Sequence, residues 1–322
     1  MCTRLLWNTN RLAVLSGRTM DWPESTMPLL TVFPRGRSRD GGAVAGRPVA
    51  ENPLRWTSRY GSVVVSTYGI AAADGINERG LAAHALYLTE TSLGERDPSR
   101  PALHMGLWAQ YLLDNAATVA EALALLDDFQ LVMVTAHGRD ATIHLAIEDA
   151  AGDSAIVELL DGRAVVHHGR EHAVMTNDPA YGEQLRLLAE HDFSRPSRDM
   201  PLPGNVNARD RFQRAAYYAA LLPEPRSERE AAAGVFAVMR NVSVPFGAPY
   251  GEFGIYDTEY RTVCDLTNRR YFFELSTAPN VIWTELGALD FSAGAPVLAL
   301  DPDDIALTGD VSAAYRPAEV AF

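Results

Sequence analysis

The sequence predicts an α+β fold in which two antiparallel sheets lie between outer helices, a four-layer αββα arrangement. Three observations carry it. Apolar, β-branched runs bounded by Gly and Asp read as buried strands; these runs are interleaved with paired helical segments; and no linker, internal repeat or low-complexity tract divides the chain. Periodicity by itself specifies mixed α and β, and the layering follows from the interleaving. With 322 residues and 47% hydrophobic content a sizeable core is possible, and residues 1–322 are read as one domain.

Taken in order, RLAVLSGRTM and SVVVSTYGIAAAD are strand candidates separated by the Gly/Pro/Arg-rich loop PRGRSRDGGAVAGRPVAENPLRW. NERGLAAHALYLTET is a further strand entered by a turn. From Pro101 the pattern becomes helical, first in PALHMGLWAQYLLDN and then in ATVAEALALLDDF, where Thr118 and Glu121 fit a capping box. LVMVTAH, TIHLAIED and SAIVELL follow as strands, and the last turns through Asp161-Gly162 into RAVVHH, giving an antiparallel meander. A second helical block covers RFQRAAYYAALL and REAAAGVFAVMRN. The strands RTVCDL and RRYFFELS then pair across Thr267-Asn268.

A formal net charge of -13 and the lack of any Lys/Arg-rich run argue against nucleic acid as a partner. No apolar stretch reaches the roughly 18 residues that span a bilayer. The first twenty residues do not read as a signal peptide, so the chain as given is read as cytoplasmic, or as periplasmic or secreted if a leader was trimmed ahead of Met1. The two cysteines, Cys2 and Cys264, exclude a disulfide framework and a Cys-rich metal site; one bridge stays open, with Cys264 read as a small core residue. His167 and His168 are adjacent on a strand, point to opposite faces and have no Cys or carboxylate cluster, so no metal site is expected. His84, His137 and His144 read as core or pocket-rim residues. The Asn241-Val-Ser sequon matters only in a secretory eukaryotic setting.

Cys2 stands out because removal of Met1 would leave a thiol and a free α-amine on one residue. The two titrate near ~8.5 and ~8 respectively, so the amine can serve as base for its own thiol. Arg18 beside it would favour the thiolate, and Asp21 would hold the amine. Strict alternation places residues 18 and 21 on opposite faces, so both reach Cys2 only if the strand bends around Thr19-Met20. The same three residues also fit an early cysteine and a solvated surface pair.

Beyond these residues, the chain resembles the choloylglycine hydrolase family of N-terminal nucleophile hydrolases, which holds penicillin V acylases and conjugated bile salt hydrolases. The resemblance runs through MCTR, GRTMDW, DGINERGLAAHALYL, the Gly-Asp-Ser hairpin with DGRAVVHH, VMTNDPAY and NARDRFQRAAYY, from residue 1 to about residue 275. It implies that Cys2 is the nucleophile, Arg18 its neighbouring arginine and Asp21 the anchor of the α-amine. Asn177 matches a side-chain oxyanion donor, Tyr87 the other oxyanion position through its backbone N–H, and Arg211 an electrostatic support. Met20, Trp22 and Leu86 are candidates for lining an apolar acyl pocket.

Bile-salt-cleaving members commonly carry Asn where this chain has Tyr87, which tilts the reading toward the acylases. RDGG, RWTSRYGS and IHLA are similar to motifs of the Gram-negative acylase subgroup, which is also associated with N-acyl homoserine lactones. The implied function is hydrolysis of a linear amide with an apolar acyl group, without a cofactor, on a small-molecule substrate. Conjugated bile salt hydrolysis and a non-catalytic binding protein are the alternatives. A homo-oligomer is implied as well, although the stretch between Asn177 and Arg211 is shorter than the loop that helps build the tetramer of bile salt hydrolases.

Overall fold

The apolar runs pair into two large sheets. The computed structural model describes residues 1–249, 254, 256–278 and 280–322. In chain order the strands are β1 (Cys2–Trp7), β2 (Leu15–Asp21), β3 (Leu29–Phe33), β4 (Ser62–Thr67), β5 (Ala71–Asn77), β6 (Ala82–Tyr87), β7 (Ile143–Glu148) and β8 (Ser154–Leu160). They continue with β9 (Arg163–His168), β10 (Val174–Met175), β11 (Thr258–Asp265), β12 (Arg270–Leu275), β13 (Ile282–Glu285), β14 (Leu298–Leu300), β15 (Gly309–Asp310) and β16 (Arg316–Pro317). The first sheet has the order β10-β1-β2-β11-β12-β13-β15 and the second β9-β8-β7-β6-β5-β4-β3-β14-β16. Both are antiparallel except where β13 meets β15 at an edge.

Helices cover the outer faces. α4 (Ala208–Ala220), with α3 (Tyr181–Leu188) against it, and α5 (Glu228–Asn241) pack on β1, β2 and β11, whereas α1 (Trp108–Asn115) packs on β5 and β6, completing the αββα order. Strand alternation separates the layers. Val63, Val65 and Ile76 belong to the core that includes the inter-sheet space. Their neighbour Val64 joins Trp108, Leu112 and Leu113 beneath α1. Gly17 allows the close approach of α5, because a Cβ there would stand 2.5 Å from Val235 Cγ1. Side-chain oxygens of Asn207 and Ser227 cap α4 and α5, and Thr118 caps the short α2 (Val119–Ala124) as its capping box predicts.

Several elements depart from the sequence reading. SVVVSTYGIAAAD is not one strand but the β4–β5 hairpin, turned at Tyr68 and Gly69 with positive φ. The helix expected from Pro101 starts only at Trp108, because Ala102–His104 is captured as a strand by Gln130–Val132. LVMVTAH consequently stays out of the meander and ends in a small hairpin of Thr135–Ala136 with Arg139–Asp140. Cys2 and Cys264 are both free thiols.

A strip of charged groups crosses the inter-sheet core. Arg4 donates to Glu148 at 2.6 Å and Arg18 to the Ala73 carbonyl at 2.8 Å. His84 stands between two carboxylates, 2.7 Å from Glu148 and 3.4 Å from Asp74. Asp74 also accepts from Thr262 at 2.6 Å and from Tyr271. All these side chains are buried. Burial would raise the pKa of Glu148, but Arg4 and His84 prevail and draw it down to about 2. For His84 burial disfavours the charge, and Glu148 and Asp74 outweigh it, so its pKa is raised.

The sign of the pH dependence follows. The contribution of ionised Glu148 is complete above its ordinary value of 4.5 and is lost as pH falls toward about 2. That of protonated His84 is complete below 6.5 and is lost as pH rises through its raised folded value. Urea denaturation across pH should therefore show the joint contribution of this pair at its fullest between those two ordinary values. Arg4→Met, which strands Glu148, should lower the unfolding free energy by about 3–5 kcal/mol near neutral pH.

Candidate active site

Pairing of β1 with β2 sets Cys2 opposite Met20 and Arg4 opposite Arg18. Side chains of cross-strand partners share a face. Thus Cys2, Met20, Arg4 and Arg18 turn toward the second sheet, where Arg18 Nη2 lies 3.1 Å from Cys2 Sγ and 3.5 Å from Met20 Sδ. Desolvation opposes the charge of Arg18, yet Cys2, Tyr260 and Asp74 outweigh it and raise its pKa above the ordinary value. A permanently cationic group thus sits against the thiol.

Asp21 occupies the other face, toward α4. β2 runs unbroken to Asp21, so the bend expected at Thr19-Met20 is absent; the irregularity lies in β11, where Glu259 is the extra residue between Thr258 and Tyr260. Alternation therefore holds, and the two residues approach Cys2 from opposite sides. The Asp21 carboxylate does not contact the Cys2 nitrogen. It accepts from Thr258 at 2.6 Å and from Thr19 at 3.2 Å, and stands 3.5 Å from Arg211. Met1 is buried here, its carbonyl accepting from Asp21 N–H at 2.7 Å. Burial lowers the pKa of its terminal amine.

Arg211, from the first turns of α4, binds the main chain of Cys2. Its Nη1 donates to the Cys2 carbonyl at 2.6 Å and to Thr3 Oγ1, and its Nη2 donates to Asn177 Oδ1 at 2.9 Å. The same Asn177 oxygen accepts the Cys2 N–H at 2.6 Å. Two donors on Oδ1 orient the amide, and its Nδ2 donates to the Tyr87 carbonyl at 2.7 Å, leaving a second N–H to spare. Asn177 is held in turn by Gln184, and the Thr176 carbonyl accepts from His144 at 2.7 Å.

The backbone of Tyr87 points the same way. Leu88 N–H donates to the Thr142 carbonyl, so Leu88–Thr142 is a hydrogen-bonded pair of the β6–β7 ladder. The adjacent pair Tyr87–Ile143 is then of the other kind, with the Tyr87 N–H and C=O directed away from β7. β5 pairs with β6 only as far as His84, so it does not occupy that side either.

Cys2, Arg18, Met20, Trp22 and Tyr87 line one pocket with a free volume of about 140 Å³, comparable to the ~150 Å³ cavity that accepts a benzene ring. Ala71, Ala72, Ala85 and Ile143 supply apolar wall. At its rim Trp22 lies 5.8 Å from the Tyr87 ring, donates to Tyr68 Oη at 2.8 Å and carries Arg139 over its face. Leu86, expected in the wall, is instead fully buried in the core, because neighbours on a strand face opposite ways and Ala85 and Tyr87 take the pocket side. His167 and His168 likewise diverge, toward Glu158 and Asp153. Among the described residues no group of His, Cys, Asp and Glu is placed to hold a metal ion. Tyr68, His104, Val134 and Arg139 reach the pocket from segments that carry no local signal of it.

Known proteins resemble the chain over nearly its whole length. The family described as "Linear amide C-N hydrolases, choloylglycine hydrolase family" matches residues 2–299. The chain is 37% identical to penicillin V acylase of Pectobacterium atrosepticum, over 99% of this chain and 90% of that protein. It superposes on the structure of penicillin V acylase from Agrobacterium tumefaciens with a TM-score of 0.89 at 41% identity, covering 99% of this chain and 98% of the other. The C2A mutant of conjugated bile acid hydrolase from Clostridium perfringens shares the fold, with a TM-score of 0.78 at 19% identity over 96% and 98% of the two chains.

Arg211→Met would strip donors from the Cys2 carbonyl and Asn177 and leave the buried Asp21 without its cation. The expected loss in urea unfolding free energy is about 3–5 kcal/mol. Arg211→Lys should recover only part of it, since one ammonium cannot span the same acceptors.

Proposed function

We propose a mechanism for this chain, which belongs to the choloylglycine hydrolase family and is a hydrolase of linear amide C–N bonds: Cys2, freed of Met1, is the nucleophile and supplies its own base. The observation that carries this reading is the convergence on Cys2, with Arg18 on its thiol and Asn177 on its nitrogen, at the inner end of an apolar pocket.

The α-amine takes the thiol proton, and the sulfur attacks the amide carbonyl. Negative charge develops on the carbonyl oxygen, to be met by the spare N–H of Asn177 and the N–H of Tyr87. The protonated amine then delivers its proton to the leaving nitrogen, the C–N bond breaks and a thioester remains. Water, deprotonated by the same amine, attacks the thioester; the C–S bond breaks, the acid departs and the thiol is restored. Asp21 acts on the amine through Arg211 and the main chain of Cys2. No step needs a cofactor.

The preferred substrates are N-acyl amides with an apolar chain or single ring, as in penicillin V and N-acyl homoserine lactones. The free volume supports this over a fused four-ring bile acid. A homo-oligomer is proposed from the family resemblance alone.

Intact-mass measurement should find Met1 absent from active protein, and activity with Met1 fully retained would sink the mechanism. Cys2→Ala should lower kcat by roughly a thousand-fold or more. Asn177→Ala should lower it by about a hundred- to a thousand-fold. A panel of penicillin V, acyl homoserine lactones and glycine- or taurine-conjugated bile acids, read as kcat/KM, ranks the leaving amine and acyl group; a bile-acid preference would overturn the acyl assignment.

A further inference from the structure

The two proposed oxyanion donors come from different sheets. Tyr87 ends β6 of the second sheet, whereas Asn177 lies in the loop between edge strand β10 of the first sheet and α3. One oxygen can meet both N–H groups only if the loop is held at a fixed distance from β6. Misplacement by about 1 Å, even from a change far from the reacting atoms, can cost roughly a hundred-fold in rate.

Two buried side chains of the second sheet tie that loop down. His144 of β7 and Glu158 of β8 follow next in register after the pair Leu145–Val157, and His144 Nδ1 stands 3.1 Å from Glu158 Oε1. On its other side His144 Nε2 donates to the Thr176 carbonyl at 2.7 Å, one residue before Asn177. Glu158 Oε1 also accepts the N–H of Tyr181, the first residue of α3, at 2.9 Å. One connected pair thus grips the loop on both flanks. Burial would raise the Glu158 pKa, but the hydrogen bond and charge of His144, with the Tyr181 N–H and His167, outweigh it and lower the value. The His144 ring therefore faces two acceptors, a carbonyl and a carboxylate, and both its nitrogens donate. Buried, this tie is screened far less than those from Thr89 N–H to Asp178 and from Ala180 N–H to Glu90, which lie at the surface.

We propose that His144 and Glu158 are positioning residues for the amide cleavage, setting the Asn177 side chain against the Tyr87 N–H without touching the substrate. Neither residue lines the pocket that holds Cys2. The assignment rests on the reading of Asn177 as an oxyanion donor. A pair that merely fastened one sheet to the other would matter equally whether or not residue 177 carried an amide.

The test is a double-mutant cycle on whichever substrate of the panel above gives the highest kcat/KM. Glu158→Ala and His144→Ala should each lower kcat by about ten- to a hundred-fold and leave KM within about two-fold. His144→Gln, whose amide can still donate to the Thr176 carbonyl, should recover most of that loss. In Asn177→Ala protein the same substitutions should cost no more than about two-fold, because the donor they position is gone. Equal losses in both backgrounds, or a fall in Tm with kcat unchanged, would overturn the assignment. Should the alanine chains not fold, Glu158→Gln, which keeps the shape and gives up the charge, takes their place; its loss of about three- to ten-fold should again vanish beside Asn177→Ala. If Asn177→Ala itself keeps full kcat, the oxyanion reading fails instead. The Asn177 side-chain amide resonance of nitrogen-labelled protein then judges the clamp alone: it should shift in Glu158→Gln, and an unmoved resonance refutes the positioning role.

Discussion

The antiparallel register of β1 against β2 is the constraint on which the site depends. Because Cys2 opposes Met20 and Arg4 opposes Arg18, one sheet face carries a thiol and two guanidinium groups into the space between the sheets. A slip of one residue would turn all of them toward α4 and α5, where Gly17 already leaves no room for so much as a methyl group. Register is thus enforced by packing on one face and by charge on the other.

Two arginines within a core demand acceptors, and the second sheet provides them. Arg4 meets Glu148 of β7, Arg18 meets the Ala73 carbonyl of β5, and His84 of β6 lies between Glu148 and Asp74. These contacts hold the sheets at a spacing that keeps Arg18 against the thiol. Burying such groups is costly unless each is paired, so the geometry of the nucleophile is tied to the integrity of the whole strip.

The machinery around Cys2 is likewise divided between layers. Asn177 follows the edge strand β10 of the first sheet, Tyr87 ends β6 of the second, and Arg211 comes from a helix outside both. A chain of hydrogen bonds closes them: Arg211 orients the Asn177 oxygen, which accepts from Cys2, and the Asn177 nitrogen reaches Tyr87. Since neighbouring donors share one amide, moving any member redirects the rest. The pocket is assembled the same way, from strands, a hairpin rim and the end of the short strand at His104.

Much of this was legible in the residues themselves. The period-two runs of β7, β8 and β9, the Asp161-Gly162 turn and the cap at Thr118 are local signals, set by pleat geometry and nearby hydrogen bonds. Family resemblance added Asn177, Tyr87 and Arg211, which sit far from Cys2 in the chain. Local pattern failed where a distant partner competed: Ala102–His104 reads as helix but pairs with Gln130–Val132, and Leu86 reads as pocket wall but faces the core. The sequence by itself determined the nucleophile candidate, many of the secondary elements and the alternation that sets residues 18 and 21 on opposite faces of β2. Only the tertiary structure decided that Arg18 touches the Cys2 thiol from one face, and that Asp21, on the other, is connected to Cys2 through Arg211. Those facts depend on distances between segments tens of residues apart, and these are set by how the two sheets pack.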